Sequence, residues 1–373
     1  MKVRSLASAA LAAGMVFASP ALARGKVEVS PSGQAITAGM PRTASGPGLA
    51  RRTVLTRIAV GSCNRQDAPQ SFWQVIAARD PQLFLMIGDN VYGDPGWDGG
   101  ADLGTFRAAY ARLAGSAEFT AFRKAVPMLE TWDDHDFGNN DAGGSFAYKQ
   151  ASEALFEHFW NAPREVRARP GVQRSAIYGP AGRRVQVILL DTRFFRTDLV
   201  RLPREQQRGL GAYASPADPA ADMLGADQWR WLERELARPA DLRIVVSSVQ
   251  LISEAHDFEA WARMPLQRQK LMSVLAGRRT SGLVVLSGDR HGGALYTAAL
   301  PGGETLRELT ASSLNAPMSA PDPSAREPDA DRRGPLFGQT NFGEIEIDWR
   351  ARRLALVLRG MDGGELLREG MAF

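Results

Sequence analysis

Three short stretches of this 373-residue chain carry side chains whose types and spacing could hold metal ions. The first is Gly88-Asp89-Asn90-Val91-Tyr92-Gly93-Asp94. A carboxylate oxygen of Asp89 can bridge two cations, and Tyr92, three residues on, can face the same point from a turn. A phenolate suits a hard trivalent ion, because a high positive charge nearby favours loss of the phenol proton. The second stretch is Trp132-Asp133-Asp134-His135-Asp136-Phe137-Gly138-Asn139-Asn140. Its crowded carboxylates would repel one another if buried without a cation. Asp133 is the expected ligand, and Asn140 can return across a loop with a neutral carbonyl oxygen. Asp134 is expected to support the ligands from behind. His135 could do the same or protonate a leaving group. Oxygen donors of this kind suit Ca²⁺, Mg²⁺ or Mn²⁺. The third stretch, Gly288-Asp289-Arg290-His291-Gly292-Gly293, places Asp289 and His291 two apart, on the same side of an extended chain. Its glycines permit close backbone approach.

Cys63 is the only cysteine, so it has no disulfide partner within the chain. A thiolate binds iron or zinc strongly, and coordination would protect it from oxidation. Each of these residues also has an ordinary reading: a core cysteine, a solvated acidic loop, a hydrogen-bonded core histidine. The set Cys63, Asp89, Tyr92, Asp133, Asn140, Asp289 and His291 is more telling than any member. Such a centre could bind phosphoryl oxygens and activate a hydroxide for in-line attack. Neither a P-loop nor a Gly-x-Ser-x-Gly elbow is present. Phosphate would then be held by metals and by side chains such as Arg193, the first choice for a clamp, with Asn64, Arg65 and Arg290 next. Surface salt bridging is the competing role for each arginine. Of the remaining histidines, His158 reads as structural beside Phe159 and Trp160, while His256 lies in a loop that could line a site.

The elements that must position these groups are apolar runs. Val54–Val60 reads as a strand that leads into Cys63, Leu83–Ile87 as one leading into Asp89, and Val126–Thr131 as one leading into Asp133. Arg184–Leu190 leads into Asp191-Thr192-Arg193, Leu242–Val249 is a further strand, and Leu283–Leu286 leads into Asp289. Runs without polar alternation fit strands buried on both faces. Helices are expected at 71–78, 105–113, 117–124, 146–160, 225–237 and 265–276. The tail reads as hairpin strands at 295–300, 306–310, 342–349 and 354–359. Residues 200–222 and 317–335 read as lid-like excursions. Together these give an α/β fold with helices covering the strands and ligand groups at strand carboxyl ends, where open α/β sheets place their sites.

Composition is that of a globular protein, 44% hydrophobic and 23% charged, and the net charge of +4 gives no reason to propose a nucleic-acid-binding module. No stable protein partner is expected. Residues 1–23 read as a signal peptide: Lys2 and Arg4, an apolar stretch from Leu6 to Phe17, then Ala21-Leu22-Ala23. The product is expected in a periplasmic or extracellular compartment, with residues 24–53 as an extended arm or short strand and 54–373 as one domain.

The combination Ser62-Cys63, Gly88-Asp89-x-x-Tyr92, Trp132-Asp133-Asp134-His135 with Asn139-Asn140, Asp191-Thr192-Arg193 and Gly288-Asp289-x-His291 resembles the PhoD-like alkaline phosphatase/phosphodiesterase family. The resemblance implies a calcineurin-like metallophosphoesterase core, a four-layer α/β/β/α sandwich with mixed sheets. It implies Fe³⁺ held partly by cysteine and tyrosine with Ca²⁺ nearby, Mn²⁺, Mg²⁺ or Zn²⁺ being the alternatives. It also implies hydrolysis of small phosphomonoesters or phosphodiesters at alkaline pH, with the seven residues as ligands. Purple acid phosphatases share the Gly-Asp-x-x-Tyr pattern but use more histidines than the four here. Many secreted members carry an N-terminal β-sandwich that does not fit in residues 24–53, and many use twin-arginine export, whereas no arginine pair precedes the apolar stretch here. Two further readings stay open: cleavage of phospholipid head groups, and a non-catalytic metal-binding protein.

Overall fold

The computed structural model describes residues 33–207, 209–277, 282–318 and 326–373. The expected signal peptide at 1–23 lies outside these residues. Among them, thirteen strands form two sheets. They are β1 (Arg57–Gly61), β2 (Leu83–Ile87), β3 (Met128–Thr131), β4 (Arg174–Tyr178), β5 (Val185–Leu189), β6 (Leu242–Val246), β7 (Gly282–Ser287), β8 (Gly293–Ala299), β9 (Thr305–Ala311), β10 (Arg332–Phe337), β11 (Asn341–Asp348), β12 (Arg353–Gly360) and β13 (Glu365–Ala372). The first sheet runs β13-β12-β11-β1-β2-β3 and the second β10-β8-β9-β7-β6-β5-β4.

Each sheet has a parallel centre and antiparallel margins. β1, β2 and β3 are parallel, as are β5, β6, β7 and β9. The tail closes both sheets: β11 adds antiparallel to β1, and β8 and β10 extend the second sheet. Two-faced burial explains the apolar runs. In β1 and β2, Ile58, Val60, Leu83, Leu85 and Ile87 face Val187, Leu189, Ile244, Val246 and Leu286 of the other sheet. Ala59, Phe84 and Met86 point the opposite way, into a layer with Trp73, Phe106, Phe119 and Phe156 from the helices Phe72–Ala77, Gly104–Gly115, Ala117–Ala125 and Lys149–Phe159. On the far side, Ile188, Val245 and Val285 pack against Trp229, Leu232 and Leu271 of helices Gly225–Leu236 and Pro265–Ala276. The result is the expected helix–sheet–sheet–helix sandwich, with three apolar layers between.

The differences from expectation lie at the margins. β4 and β13 are edge strands with much of their surface open, and so lack the apolar signature of a buried strand. The stretch expected to be a lid at 317–335 enters β10 at Arg332, which pairs with Tyr296. The described part of the N-terminal arm begins with a helical turn, Gly33–Ile36, instead of a strand. It is tied down where Thr43 N donates to the carbonyl of Phe159 and the His158 ring bonds the carbonyl of Met40 at 2.9 Å. His158 is therefore structural, as expected. Among the described residues, no helix is long and apolar enough to cross a membrane.

Candidate metal centre

The parallel strands of both sheets finish at one edge, and the loops that follow meet there. Ser62, after β1, forms a parallel bridge with Ser312, after β9, so the two sheets are stitched together at their carboxyl ends. Cys63 N and Asn64 N donate to the carbonyls of Gly88 and Asp89, and Gly288 N donates to the carbonyl of Ser248. The approach is close. A Cβ on Gly88 would lie 2.7 Å from the Cβ of Asp133, and one on Gly288 would lie 2.6 Å from Ser62 Oγ.

At this edge the chain turns sharply inward. Cys63 (φ 57°), Asp89 (φ 48°), Asp289 (φ 65°) and His291 (φ 53°) all adopt the left-handed conformation, which ordinary residues seldom occupy. Such outliers cluster where surrounding structure holds side chains for function. Here they turn four side chains toward two adjoining donor groups that share Asp89. Donor atoms of Cys63, Asp89 and His291 lie within 4.8 Å of one another, as do those of Asp89, Asp133, Asp134 and Asp289, and those of Asp89, Asp134 and His135. Asp89 is common to these three groups, in keeping with a bridging role, while a fourth group, Asp134, Asp141 and Glu259, lies to one side of it.

The polar contacts define each donor. Cys63 Sγ lies 3.3 Å from Asp89 Oδ2 and 3.0 Å from Ser312 Oγ. Tyr92 donates to the same Asp89 oxygen at 3.4 Å. His291 bonds through Nδ1 to the carbonyl of Ala316, and its backbone N–H donates to Ser312 Oγ at 2.9 Å. That leaves Nε2 of His291 for a ligand, the second ring nitrogen being fixed by its backbone partner. Buried side-chain oxygens Asp89 Oδ1, Asp133 Oδ2 and Asp134 Oδ1 have no hydrogen-bond partner among the described residues. Buried carboxylate oxygens that converge on one space without a hydrogen-bond donor are what a bound cation would satisfy, so the residues fit a metal centre.

The electrostatics carry the same message. Burial, and then the charge of Asp134, push the Asp89 carboxyl well above its ordinary value. Burial and Asp133 do the same to Asp289. Asp133 is pushed up to about 7 by burial, against the pull of Arg193. Burial and the Asp89 charge also hold the Cys63 thiol protonated in the absence of a cation. For Asp134, burial opposes ionisation, but His135 and Arg193 outweigh it and lower the pKa. His135 shows the converse: burial disfavours its charge, yet Asp134, Asp89 and Asp94 raise its pKa to about 11. A cation would offset the cost of ionising buried Asp89, Asp133 and Asp289 together.

The remaining expected residues fall into place unevenly. Asp134, expected only to support ligands, brings its own carboxylate into the ligand space. His135 is held through Nδ1 by Asp94 at 2.7 Å, lies against the Tyr92 ring at 4.2 Å and borders a cleft of about 540 Å³ with Asp289 and His291. Asn140 is exposed on the rim of that cleft, where it donates to Asp141 at 2.7 Å. Arg193 differs most from expectation. Its guanidinium is wholly buried, donating to Asp133 Oδ1 at 2.5 Å and Glu259 at 2.7 Å. It neutralises carboxylates behind the ligands and has no exposed face for phosphate. Asn64 is buried too, donating to the carbonyl of Asn90 and accepting from Gln70. Arg65 pairs with Asp67 at 2.9 Å, and Arg290 with Glu327 while stacked over Phe258. His256 is buried against Gln250 and joins no donor group among the described residues.

Two supports escaped sequence reasoning. Asp136 accepts from the backbone amides of Asn90, Val91 and Asp133 at 3.0–3.3 Å, so one carboxylate brackets two ligand loops. Its place in Asp-Asp-His-Asp was visible, but a third ligand and a loop clamp look alike in sequence. Ser312 bridges Cys63 and His291, and nothing around it in the sequence marks it.

The family model described as PhoD-like phosphatase matches residues 58–357. Alkaline phosphatase D of Bacillus subtilis (strain 168) is 24% identical over 213 residues, covering 50% of this chain and 34% of that protein. The matched segment thus spans about a third of that relative. The solved structure of PhoD superposes with a TM-score of 0.65 at 16% identity, covering 88% of this chain and 69% of that one, a likeness of fold.

Proposed function

The chain belongs to the PhoD-like phosphatase family, and from that premise we propose that it is an exported metal-dependent phosphoesterase acting on small phosphomonoesters or phosphodiesters. The observation that carries this reading is the convergence of Cys63, Asp89, Asp133, Asp134, Asp289 and His291 beside an open cleft. Family membership and the donor set support a metal centre. Fe³⁺ with Ca²⁺ is the preferred pair: the Cys63 thiolate suits iron, the Tyr92 phenolate suits a highly charged ion, and the carboxylates suit an oxygen-seeking one. Tyr92 and Asn140 are proposed as the outer ligands. Export to the periplasm or beyond rests on the charged, apolar and small-residue order of residues 1–23.

When bound, the metals would supply Lewis acidity for the phosphoryl oxygens and an activated water. The protein's own residues divide the remaining work. Asp89 joins the Cys63/His291 side to the Asp133/Asp134 side. His291 is oriented by Ala316 and Ser312 so that Nε2 faces inward. Arg193 and Glu259 fix Asp133 from behind. His135, held by Asp94 through Nδ1 at the edge of the cleft, is placed to hand a proton from Nε2 to a departing alkoxide. Substituting Asp289 by Asn should abolish turnover across a monoester and diester panel while leaving the circular dichroism spectrum native. Full activity in that variant would overturn the assignment.

One observation favours a second reading. Phe258, one of the three large exposed apolar side chains among the described residues, lines the cleft beside Met318, which would suit an amphiphilic substrate such as a phospholipid. Comparing lipid with simple diester substrates separates the two.

A further inference from the structure

The cleft does not stop at the ligand groups. Asn140, Asp141, Arg201 and Tyr213 line it and also line a second cavity of about 660 Å³ on their other side. These four residues form a saddle between the two spaces. The saddle is anchored: Asp141 accepts from Tyr213 Oη, from Asn140 Nδ2 at 2.7 Å, and through its main-chain carbonyl from Arg196. Beyond it, Trp97, Phe146 and Tyr148 stand edge-to-face with centroids 5.6–5.9 Å apart. All three are half-buried and line the second cavity.

Arg201 is the distinctive group on the saddle. Its guanidinium lies over the Tyr213 ring at 5.4 Å and the residue is exposed. Among the described residues it has no carboxylate partner, whereas Arg193, Arg196, Arg65 and Arg290 are each ion-paired. An unpaired arginine held over an aromatic ring is pre-organised to meet an anion. Aromatic walls take planar rings by stacking, largely regardless of ring identity.

Resting on the phosphoesterase reading, we propose that the second cavity is a substrate subsite for the alcohol that stays on phosphorus. That alcohol carries a planar ring, which lies against the Trp97/Tyr148 wall, and a second negative charge, which meets Arg201. Among phosphate esters this is the chemistry of a nucleotide bearing a further phosphate.

Three diesters with one leaving group test it on the metal-loaded enzyme: methyl p-nitrophenyl phosphate, thymidine 5′-(p-nitrophenyl phosphate), and the latter carrying a 3′-phosphate. In each, water adds to phosphorus, the bond to the aryl oxygen breaks, and nitrophenolate leaves with the electron pair. The ring should raise kcat/KM about tenfold over the methyl ester, as expected for one stacked base. The extra phosphate should add roughly fivefold, as for one partly exposed ion pair. Both gains should appear in KM. Arg201→Ala should erase the second gain and Arg201→Lys retain part of it; Trp97→Ala should erase the first. Arg201 is exposed, so its variants keep the test available if the tryptophan variant fails to fold. Turnover of the methyl ester with no gain along the series, or a 3′-phosphate gain that survives Arg201→Ala, would overturn the subsite. Absence of metal-dependent turnover on all three would instead overturn the phosphoesterase reading on which it rests.

Discussion

Arg193 donates through Nε to Asp133 Oδ1 at 2.5 Å with both side chains sealed from solvent. The same guanidinium reaches Glu259, so its charge is spent within the protein and supports a ligand. Arg193→Ala would leave Asp133 and Glu259 buried without their main counter-charge. Breaking such a pair from one side costs about 3–5 kcal/mol, so unfolding in denaturant should shift to markedly lower concentration. Arg193→Lys should rescue little, because an ammonium cannot span both carboxylates as the planar fork does. A stable Arg193→Ala protein with only a raised KM would restore the phosphate-clamp role.

Asp136 makes a different kind of prediction. Its carboxylate receives backbone N–H groups from both ligand loops. Asp136→Asn turns one acceptor into a donor facing donors. The cost is about 1–3 kcal/mol, the penalty for leaving a buried amide unpaired. Bound metal per chain, measured by elemental analysis after gel filtration, should fall as well, since the loops carrying Asp89 and Asp133 lose their common bracket. Full metal content with only lower stability would make Asp136 a fold residue alone.

Gly88 tests the backbone geometry. It has φ 125°, and a Cβ there would meet Asp133 at 2.7 Å. Gly88→Ala combines a strained backbone conformation, of order 1–3 kcal/mol, with displacement of a ligand. Both thermal stability and metal retention should drop. A neutral outcome would mean that the two strand ends are further apart than described.

How much of this was legible beforehand depends on where the determining neighbours lie. Asp89, Asp289 and His291 stand out because each follows an apolar run that a doubly buried strand explains, and Asp133 because it opens a crowded acidic stretch after a strand. The same logic missed β4 and β13, whose open faces remove that signature. Arg193 lies away from the expected clamp position for a related reason. An arginine after a strand reads alike whether it faces solvent or buried carboxylates, and its partner Glu259 lies 66 residues away. Ser312 is further removed still, 249 residues from Cys63, and only the meeting of two sheets brings it there. Asp134 was underrated because a short helix, Asp134–Phe137, begins directly after Asp133 and turns the next carboxylate inward as well.

The central claim is that this donor set is a metal centre that hydrolyses phosphate esters. Stripping the purified protein with chelator and titrating Fe³⁺, Ca²⁺, Mn²⁺, Mg²⁺ or Zn²⁺ back, singly and in pairs, while following nitrophenol release from mono- and bis-(p-nitrophenyl) phosphate tests it most directly. Turnover should vanish on stripping and return with a specific ion or pair, Fe³⁺ with Ca²⁺ being expected, and the same addition should restore nothing to Asp89→Ala. Turnover that survives complete stripping, or that no ion restores to a folded protein, would contradict the account.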